Sequence, residues 1–142
     1  MLKINYYAVG LCAVINMILG ALWHSPLLFG ELWARLMNLD LNKMKADKNV
    51  QKQAQKGYLI ATICHLIKAT VLAYIIEYTH AASSWFDGLK LGFIFWLGFT
   101  LTTMLPNQFF SRPNFSWLLA IITIAYPMVS LSIDGAILAA WH

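Results

Sequence analysis

Two titratable side chains, His65 and Lys68, lie three residues apart inside a long apolar segment. Residues at this spacing share one face of a helix. Ionisable groups within apolar membrane segments are costly, so they usually pair with each other or serve a function. We interpret Lys68 as a functional group or as half of a buried ion pair. For His65 an interhelical hydrogen bond is favoured over metal ligation or proton transfer.

Polar residues on the other apolar segments fall at similar depths. With a rise of about 1.5 Å per residue, Asn16 reaches roughly the depth of His65. We expect Asn16 to act mainly in helix packing. Asp134 lies roughly 10 Å from Lys68 in depth, which is too far for an easy direct pair. We still expect Asp134 to be the charge partner of Lys68, with the long lysine stem and bridging water spanning the distance. The predicted intramembrane polar site comprises Asn16, His65, Lys68, Thr102, Thr103 and Asp134.

A second group of polar and aromatic residues follows the first apolar segment. Ser25 can cap a helix whose first residue is Pro26, a position that suits proline. The next residues place Leu28, Leu32, Trp33 and Leu36 on one broad face. We therefore expect a short amphipathic helix on the membrane surface. After it, Asp40 is a second candidate cap, for a polar helix that leads into the second span. The predicted interfacial motif consists of Trp23, His24, Ser25, Pro26 and Trp33. His24 is interpreted as a boundary residue, with a ligand role as the alternative.

The elements that must position these residues are helices long enough to cross a membrane. The chain is 60% hydrophobic and only 11% charged, whereas a soluble domain carries roughly 25% charged residues. A spanning helix needs about 20 apolar residues. We predict an all-α fold, an integral membrane four-helix bundle formed by a single domain over residues 1–142. Its spans are residues 4–23, 58–78, 89–105 and 117–141, and its connector is residues 24–57.

Small residues at the start of the predicted third span and within it have the spacing of close helix contacts. Gly88 and Gly92, and likewise Gly98 and Thr102, are four residues apart. Such pairs let two membrane helices approach closely. We expect them to pack within a protomer or between protomers.

The distribution of basic residues predicts an orientation. Six of the ten Lys and Arg residues lie between Arg35 and Lys56, and short cytoplasmic loops are enriched in such residues. Arg112 adds to the third loop, while Lys3 and Lys90 lie on the opposite side. We predict a multi-pass protein of the bacterial inner membrane with a cytoplasmic connector and both termini outside. Anionic lipid is the expected partner of Lys43, Lys45 and Lys48, and no motif indicates nucleic acid.

Three stretches resemble a known family. They read LGALWHSPLLFGELWARLM at 19–37, FWLGFTLTTMLPNQFF at 95–110 and GAILAAW at 135–141. These residues resemble the bacterial family called domain of unknown function seventeen-sixty-one (DUF1761). The chain departs from the family pattern at His24, where tyrosine is more usual, and at Pro127, where histidine is expected after Tyr126. The resemblance implies a four-helix integral membrane protein and carries no established activity.

Three functions remain open at this point. The favoured one is a homo-oligomeric transport or channel-like protein that handles a small solute or ion. The alternative is a structural protein that binds a partner or anionic lipid through its basic connector. A membrane-embedded enzyme or haem carrier is least favoured, because His24 lies near the surface and His65 lies deeper. No metal or cofactor site is predicted, since Cys12 and Cys64 lack ligand spacing and no nucleotide or protease motif occurs.

Overall fold

The computed structural model describes residues 4–111 and 115–141. Lys3 and Arg112, which contribute to the predicted orientation, lie outside the described residues. Within these two ranges the chain is helical and contains no β-strand, so the all-α prediction is confirmed. In chain order the helices are α1 (Tyr6–Trp23), α2 (Gly30–Leu36), α3 (Leu41–Ala46), α4 (Lys48–Thr79), α5 (Trp85–Phe95), a π-helical segment (Trp96–Leu101), α6 (Thr102–Phe110) and α7 (Trp117–Ala140).

In the part of the chain that the structure describes, four helices are long and apolar enough to cross a membrane. They are α1, α4, the continuous stretch Trp85–Phe110 and α7, and each overlaps one of the predicted spans. Helix α4 has 32 residues, which corresponds to about 48 Å at 1.5 Å per residue. This length exceeds the roughly 30 Å of a bilayer core. The polar first turns of α4 therefore belong to the connector.

Short polar side chains define where most of these helices begin. The Asn5 carboxamide accepts hydrogen bonds from the Tyr7 and Ala8 amides at the start of α1. Ser84 accepts from the Asp87 amide ahead of α5, and Ser116 accepts from the Leu119 amide ahead of α7. Each cap satisfies a backbone donor that has no partner within its own helix. The ends of the apolar helices are thus encoded locally.

Helix α7 packs against α1, α4 and α5, and its contact with α5 is the most extensive. Glycines make the α5–α7 approach possible. A Cβ atom on Gly88 would lie 2.0 Å from the Gly135 carbonyl oxygen, and one on Gly92 would lie 2.1 Å from that of Leu131. The predicted Gly88–Gly92 contact is therefore made within the protomer. A Cβ atom on Gly98 would meet nothing within 4 Å, so its pairing with Thr102 does not contribute to this contact.

The third long helix is irregular near its middle. Its hydrogen bonding widens to a π-helical turn at Trp96–Leu101, and Pro106 follows inside α6. The Trp96 indole donates a hydrogen bond to the Ile124 carbonyl of α7 at 3.0 Å. Trp23 makes the equivalent bond to the Ile122 carbonyl at 3.1 Å. Trp96 is thus accommodated near the middle of its long helix because its N–H group has a partner, whereas Trp23 lies at the end of α1.

The connector differs from the predicted capped helix. Helix α2 begins at Gly30, and Ser25–Phe29 form turns. The Ser25 hydroxyl donates to the Leu22 carbonyl and accepts from the Leu27 amide, while the Ser25 carbonyl accepts from the Gly30 amide. Ser25 therefore closes a turn, and the prediction that it caps a helix beginning at Pro26 is wrong. A Cβ atom on Gly30 would lie 2.2 Å from the His24 carbonyl oxygen, so glycine permits this turn.

The later connector follows its polar residues closely. The Asp40 carboxylate accepts from the Asn42 and Lys43 amides at the start of α3, as the sequence predicts. Asp47 then ends α3 and caps α4, which continues without a break into the apolar segment. The connector is thus joined rigidly to the second long helix.

We expect a methyl group at the α5–α7 contact to destabilise the protein. Gly92→Ala places a Cβ against the Leu131 backbone, and overpacking of this kind costs about 1–3 kcal/mol. Gly10→Ala is the matched control, because nothing lies within 4 Å of its added Cβ and alanine favours a helix by up to about 1 kcal/mol. Thermal unfolding in detergent should show a lower Tm for the first variant only. Equal Tm values for both variants would contradict the packing described here.

Candidate functional site

An ion pair between α4 and α7 lies at the centre of the helix assembly. Lys68 Nζ is 2.9 Å from Asp134 Oδ2. Asp134 is therefore the charge partner chosen from the sequence, but the contact is direct and needs no bridging water. Counting residues along a helix gives axial depth alone. It does not give how closely the two helices approach, so it cannot show that the four-carbon lysine stem spans the difference without water.

Asn16 and Ser130 complete a hydrogen-bonded cluster with the ion pair. The Asn16 amide donates to Asp134 Oδ1 at 2.6 Å and to the Cys12 carbonyl at 2.7 Å. The Lys68 ammonium donates to the Ser130 hydroxyl and, at 3.4 Å, to Asn16 Oδ1. The Ser130 hydroxyl donates to the same Asn16 oxygen. We call Asn16, Lys68, Ser130 and Asp134 the ion-pair cluster. Asn16 binds both charged residues, which is more than a packing role.

The two charged partners differ sharply in exposure. The Asp134 side chain is 0% exposed and that of Lys68 is 25% exposed. Asn16 and Ser130 are each 1% exposed. A buried ion pair is retained at low cost only when further hydrogen bonds satisfy its polar atoms. Asn16 binds Oδ1 of Asp134 and Ser130 binds the Lys68 ammonium, while Oδ2 faces the ammonium. The cluster is thus sealed around the carboxylate and open at the ammonium.

His65 and Tyr126 adjoin the cluster on the side nearer the connector. The Tyr126 hydroxyl donates to the Asn16 carbonyl at 3.1 Å and lies 3.5 Å from His65 Nε2. A Cβ atom on Gly20 would lie 3.1 Å from the Tyr126 hydroxyl, so the glycine leaves room for this approach. His65 is therefore linked to the cluster through Tyr126 and the α1 backbone. It does not contact the ion pair itself.

An open groove of about 350 Å³ leads from the connector end towards the cluster. It lies between α1 and α4, and we call it the connector-side groove. The polar side chains in its lining are those of Asn16, His24, Tyr58, Cys64, His65 and Tyr126. His24 and Asn16 are eight residues apart, so the groove extends about 12 Å along α1. Its inner limit is Asn16, a member of the ion-pair cluster.

A second open groove, of about 330 Å³, lies beyond Lys68 in the other half of the assembly. We call it the far-side groove. Among the α4 residues that line it, Lys68 is the one nearest the connector. The other lining residues are largely apolar: Val71, Leu72 and Ile75 of α4, Phe95, Phe99 and Thr100 of the third long helix, and Leu131 of α7. The only charged residue in this lining is Lys68. The groove therefore combines an apolar wall with a single positive charge.

Thr102 and Thr103 are not brought to the ion pair. Both residues are exposed, and their hydroxyls donate to the Gly98 and Phe99 carbonyls of their own helix at 2.7 and 2.6 Å. A depth count presupposes a regular helix, whereas the π-helical turn just before them changes which residues face α4. Thr100 takes the inward place and lines the far-side groove.

The interfacial motif forms an aromatic group at the end of α1. The Trp23 ring packs 4.9 Å from Phe29, and the His24 ring packs 5.7 Å from Trp33 and 6.0 Å from Tyr126. His24 Nδ1 is also 3.0 Å from the Gly20 carbonyl. Pro26 lies apart from these rings, beside a shallow polar depression of the connector. Within 4–111 and 115–141, no three His, Cys, Asp or Glu side chains converge as metal ligands.

Two residues of the site, Tyr126 and Ser130, are absent from the polar site that the sequence predicts. A signal for both exists, because Tyr126, Ser130 and Asp134 follow at intervals of four residues. Residues at this spacing form one stripe on a helix. That stripe faces α1 and α4.

Comparison with known proteins identifies a family. The family model described as protein of unknown function (DUF1761) matches residues 7–139. Because this range covers most of the chain, the chain belongs to that family, and the resemblance noted in the sequence is confirmed. Searches of curated proteins and of solved structures find no match.

We expect the ion pair to behave as a coupled unit in stability measurements. Lys68→Met leaves the sealed Asp134 carboxylate without its cation, and breaking a buried pair in this way costs about 3–5 kcal/mol. The double variant Lys68→Met/Asp134→Asn removes both charges and should recover much of the loss. Chemical or thermal unfolding in detergent measures both effects.

The control is the surface pair of Lys90 and Asp87, whose nitrogen and oxygen are 2.7 Å apart and whose side chains are 53% and 34% exposed. Lys90→Met should leave the stability almost unchanged, because solvent screens an exposed pair. Additive losses in the double variant, or equal losses for Lys68→Met and Lys90→Met, would contradict a sealed pair.

Proposed function

We propose that this DUF1761 member spans a membrane with its four long helices and acts in proton-coupled transport, with the Lys68–Asp134 pair as the barrier. The observation that carries the proposal is the position of the two grooves. The connector-side groove and the far-side groove lie on opposite sides of the ion-pair cluster along the helix axes. A transport path needs access from both sides to one barrier.

The barrier between the grooves is thin. Asn16 closes the connector-side groove and Lys68 closes the far-side groove, and these two side chains are 3.4 Å apart. One layer of hydrogen-bonded side chains therefore separates the two halves of the path. A change in the pairing of Lys68 would alter both grooves at once.

The chemistry of the pair suits coupling to protons. Placing a lone charge in a membrane interior is costly, so Lys68 and Asp134 are most stable when they neutralise each other. Protonation of the Asp134 carboxylate would release the Lys68 ammonium from its partner. Proton binding and a change of Lys68 contacts are then linked events, which is the requirement for coupled transport.

The membrane setting belongs to the same proposal. Large apolar side chains on the outer faces of α1 and α4, such as Ile18, Ile63 and Ile67, are exposed and suited to lipid. The basic connector favours a cytoplasmic location, which would place both termini outside the inner membrane of a bacterium. Four packed helices enclose little lumen, so a homo-oligomer would close the open sides of the grooves.

Lipid binding through the connector is the second candidate function. Lys48, Lys52 and Lys56 follow at intervals of four residues on the first turns of α4, and all three are exposed. Exposed Leu28 and Leu32, before and within α2, offer an apolar face in the same connector. Such a surface would attract anionic headgroups at about 1 kcal/mol per basic residue.

Proton flux into sealed vesicles tests the transport proposal. The full chain is reconstituted into vesicles that contain a pH-sensitive dye, and the membrane potential is clamped with valinomycin and K⁺. A coupled transporter moves protons only together with its solute, so the medium contains chloride and p-toluenesulfonate as candidate co-transported anions. Under these conditions we expect the wild type to dissipate an imposed pH gradient several-fold faster than protein-free vesicles. Asp134→Asn should return the rate to the protein-free value, because the asparagine side chain cannot bind and release a proton in the pH range of the assay.

Lys90→Met is the matched control for this assay, since it removes a cation from the surface pair and should leave the flux unchanged. Flux that equals that of protein-free vesicles would refute the proposal. Flux that Asp134→Asn does not reduce would also refute it, because the path would then bypass the ion pair.

Lipid dependence tests the second candidate. We expect the Tm of the protein in nanodiscs to rise when phosphatidylcholine is replaced in part by phosphatidylglycerol. Neutralising Lys48, Lys52 and Lys56 together with glutamine should abolish this rise, because the attraction is electrostatic and falls off within a Debye length. A rise that persists in the triple variant, or that survives high salt, would exclude the lysine stripe as its source.

A further inference from the structure

We propose that the far-side groove binds an organic anion with a compact apolar body, its negative group at Lys68, and that Asp134 takes up a proton on binding. The inference deepens the proposed transport function and rests on it for its biological meaning. It names the class of solute that the same ion pair would handle. Carboxylates and sulfonates carried on a small aryl or alkyl group belong to this class.

The groove has the composition of a small-molecule site. Its volume of about 330 Å³ is near the lower end of the range of about 300–1,000 Å³ typical of ligand pockets. The Phe95 and Phe99 rings are stacked with centroids 5.5 Å apart and form one wall. Val71 and Ile75 contribute to the opposite wall. The apolar walls therefore suit the apolar body of a ligand, and the Lys68 ammonium suits its anionic group.

The difference in exposure determines which charge a ligand can meet. Lys68 is 25% exposed and borders the groove, whereas Asp134 is fully buried behind it. An anion in the groove therefore reaches the ammonium and not the carboxylate. A cation would meet the ammonium first and be repelled. The site is selective for negative groups by its geometry.

Binding of an anion has a consequence for Asp134. Oδ1 of this residue accepts a hydrogen bond from Asn16. Oδ2 has no hydrogen-bond partner among the residues that the structure describes, and it faces the Lys68 ammonium at 2.9 Å. When the Lys68 ammonium pairs with the ligand anion, the buried Oδ2 atom is left without a positive charge beside it. A buried carboxylate without a cation takes up a proton in preference to remaining charged.

The charges balance in this exchange. The Lys68–Asp134 contact breaks, a contact between Lys68 and the ligand anion forms, and one proton from solvent binds Asp134. The site then has gained one negative and one positive charge, so its net charge is unchanged. The connector-side groove offers the proton a route, because Asn16 at its inner end contacts the Asp134 carboxylate.

Other titratable groups around Asp134 do not replace the lost cation. His65 on α4 lies beside Tyr126, and the Tyr126 hydroxyl donates to the Asn16 carbonyl. The Cys12 thiol on α1 is directed to the backbone carbonyl of residue 134 at 4.0 Å. On α5, Asp87 and Lys90 pair with each other. The proton is therefore expected on Asp134 itself.

Calorimetric titration with p-toluenesulfonate tests the inference. This probe stays ionised and cannot carry a proton of its own, so any proton taken up goes to the protein. The full chain in nanodiscs is titrated in two buffers of different ionisation enthalpy. We expect uptake of about one proton per bound probe and an affinity that tightens about tenfold per unit of pH decrease. Neutral p-tolyl methyl sulfone, which has the same apolar body, should bind without proton uptake and without this pH dependence.

Variants separate the two charged residues. Lys68→Met should weaken probe binding at least tenfold. Asp134→Asn should bind the probe as tightly as wild type or more tightly, without proton uptake, because Lys68 is then unpaired. Val71→Trp fills the groove at a residue that is 52% exposed and should abolish binding while the ion pair and the Tm are retained. Lys90→Met should match the wild type.

Three results would overturn the inference: equal binding of the sulfonate and the sulfone, sulfonate binding without proton uptake in the wild type, or loss of binding in Asp134→Asn protein that keeps its Tm. Failure of this inference is distinguishable from failure of the transport function. If vesicles show proton flux but calorimetry shows no probe binding, the anion site alone is refuted. If the probe binds with proton uptake but vesicles show no flux, transport is refuted and the anion site stands.

Discussion

The Lys68–Asp134 ion pair sets the relative positions of three of the four long helices. Its carboxylate is fully buried, and its cation comes from a different helix. A charge in that position is tolerated only if its partners approach within hydrogen-bond distance. Asn16 adds a third helix, because its amide binds both the carboxylate and its own backbone. The hydrogen bonds of the buried charges therefore fix the axial positions of α1, α4 and α7 relative to one another. Apolar packing by itself would permit these helices to slide.

Helix α7 makes these polar contacts on one side and a close glycine contact with α5 on its other side. Its Tyr126, Ser130 and Asp134 stripe meets α1 and α4, while Gly135 and the Leu131 backbone meet the glycines of α5. Indole N–H groups of Trp23 and Trp96 bind two of its carbonyls from either neighbour. The first half of the third long helix is thereby held close to α7. The widened turn after it leaves Phe99 and Thr100 facing α4, where they form the far-side groove.

Structure and proposed function are connected through the unequal burial of the two charges. A symmetric, fully enclosed pair would serve as a structural clamp. Here the ammonium borders one groove, and the amide that binds the carboxylate borders the other. Chemical events in either groove therefore act on the same pair. Small residues such as Gly20 and Ala61 keep the connector-side groove open. Access to the cluster therefore depends on the absence of bulky side chains there as well as on the polar groups of the lining.

The sequence alone determined the helical class, the four apolar helices, the Asp40 cap and the choice of Asp134 as partner for Lys68. Hydropathy, capping and helical periodicity are local properties, and each can be read within a few turns of one segment. Tertiary structure decided the rest. Direct contact in the ion pair depends on lysine reach across a helix interface, and the position of Thr100 in place of Thr102 and Thr103 depends on a widened turn. Ser25 closes a turn because Gly30 packs on the His24 carbonyl. The ion-pair contact and the inward place of Thr100 arise from contacts between segments, for which no single segment carries a signal. The Ser25 turn is local, but a serine before a proline also matches the pattern of a helix start, so the sequence permits both structures.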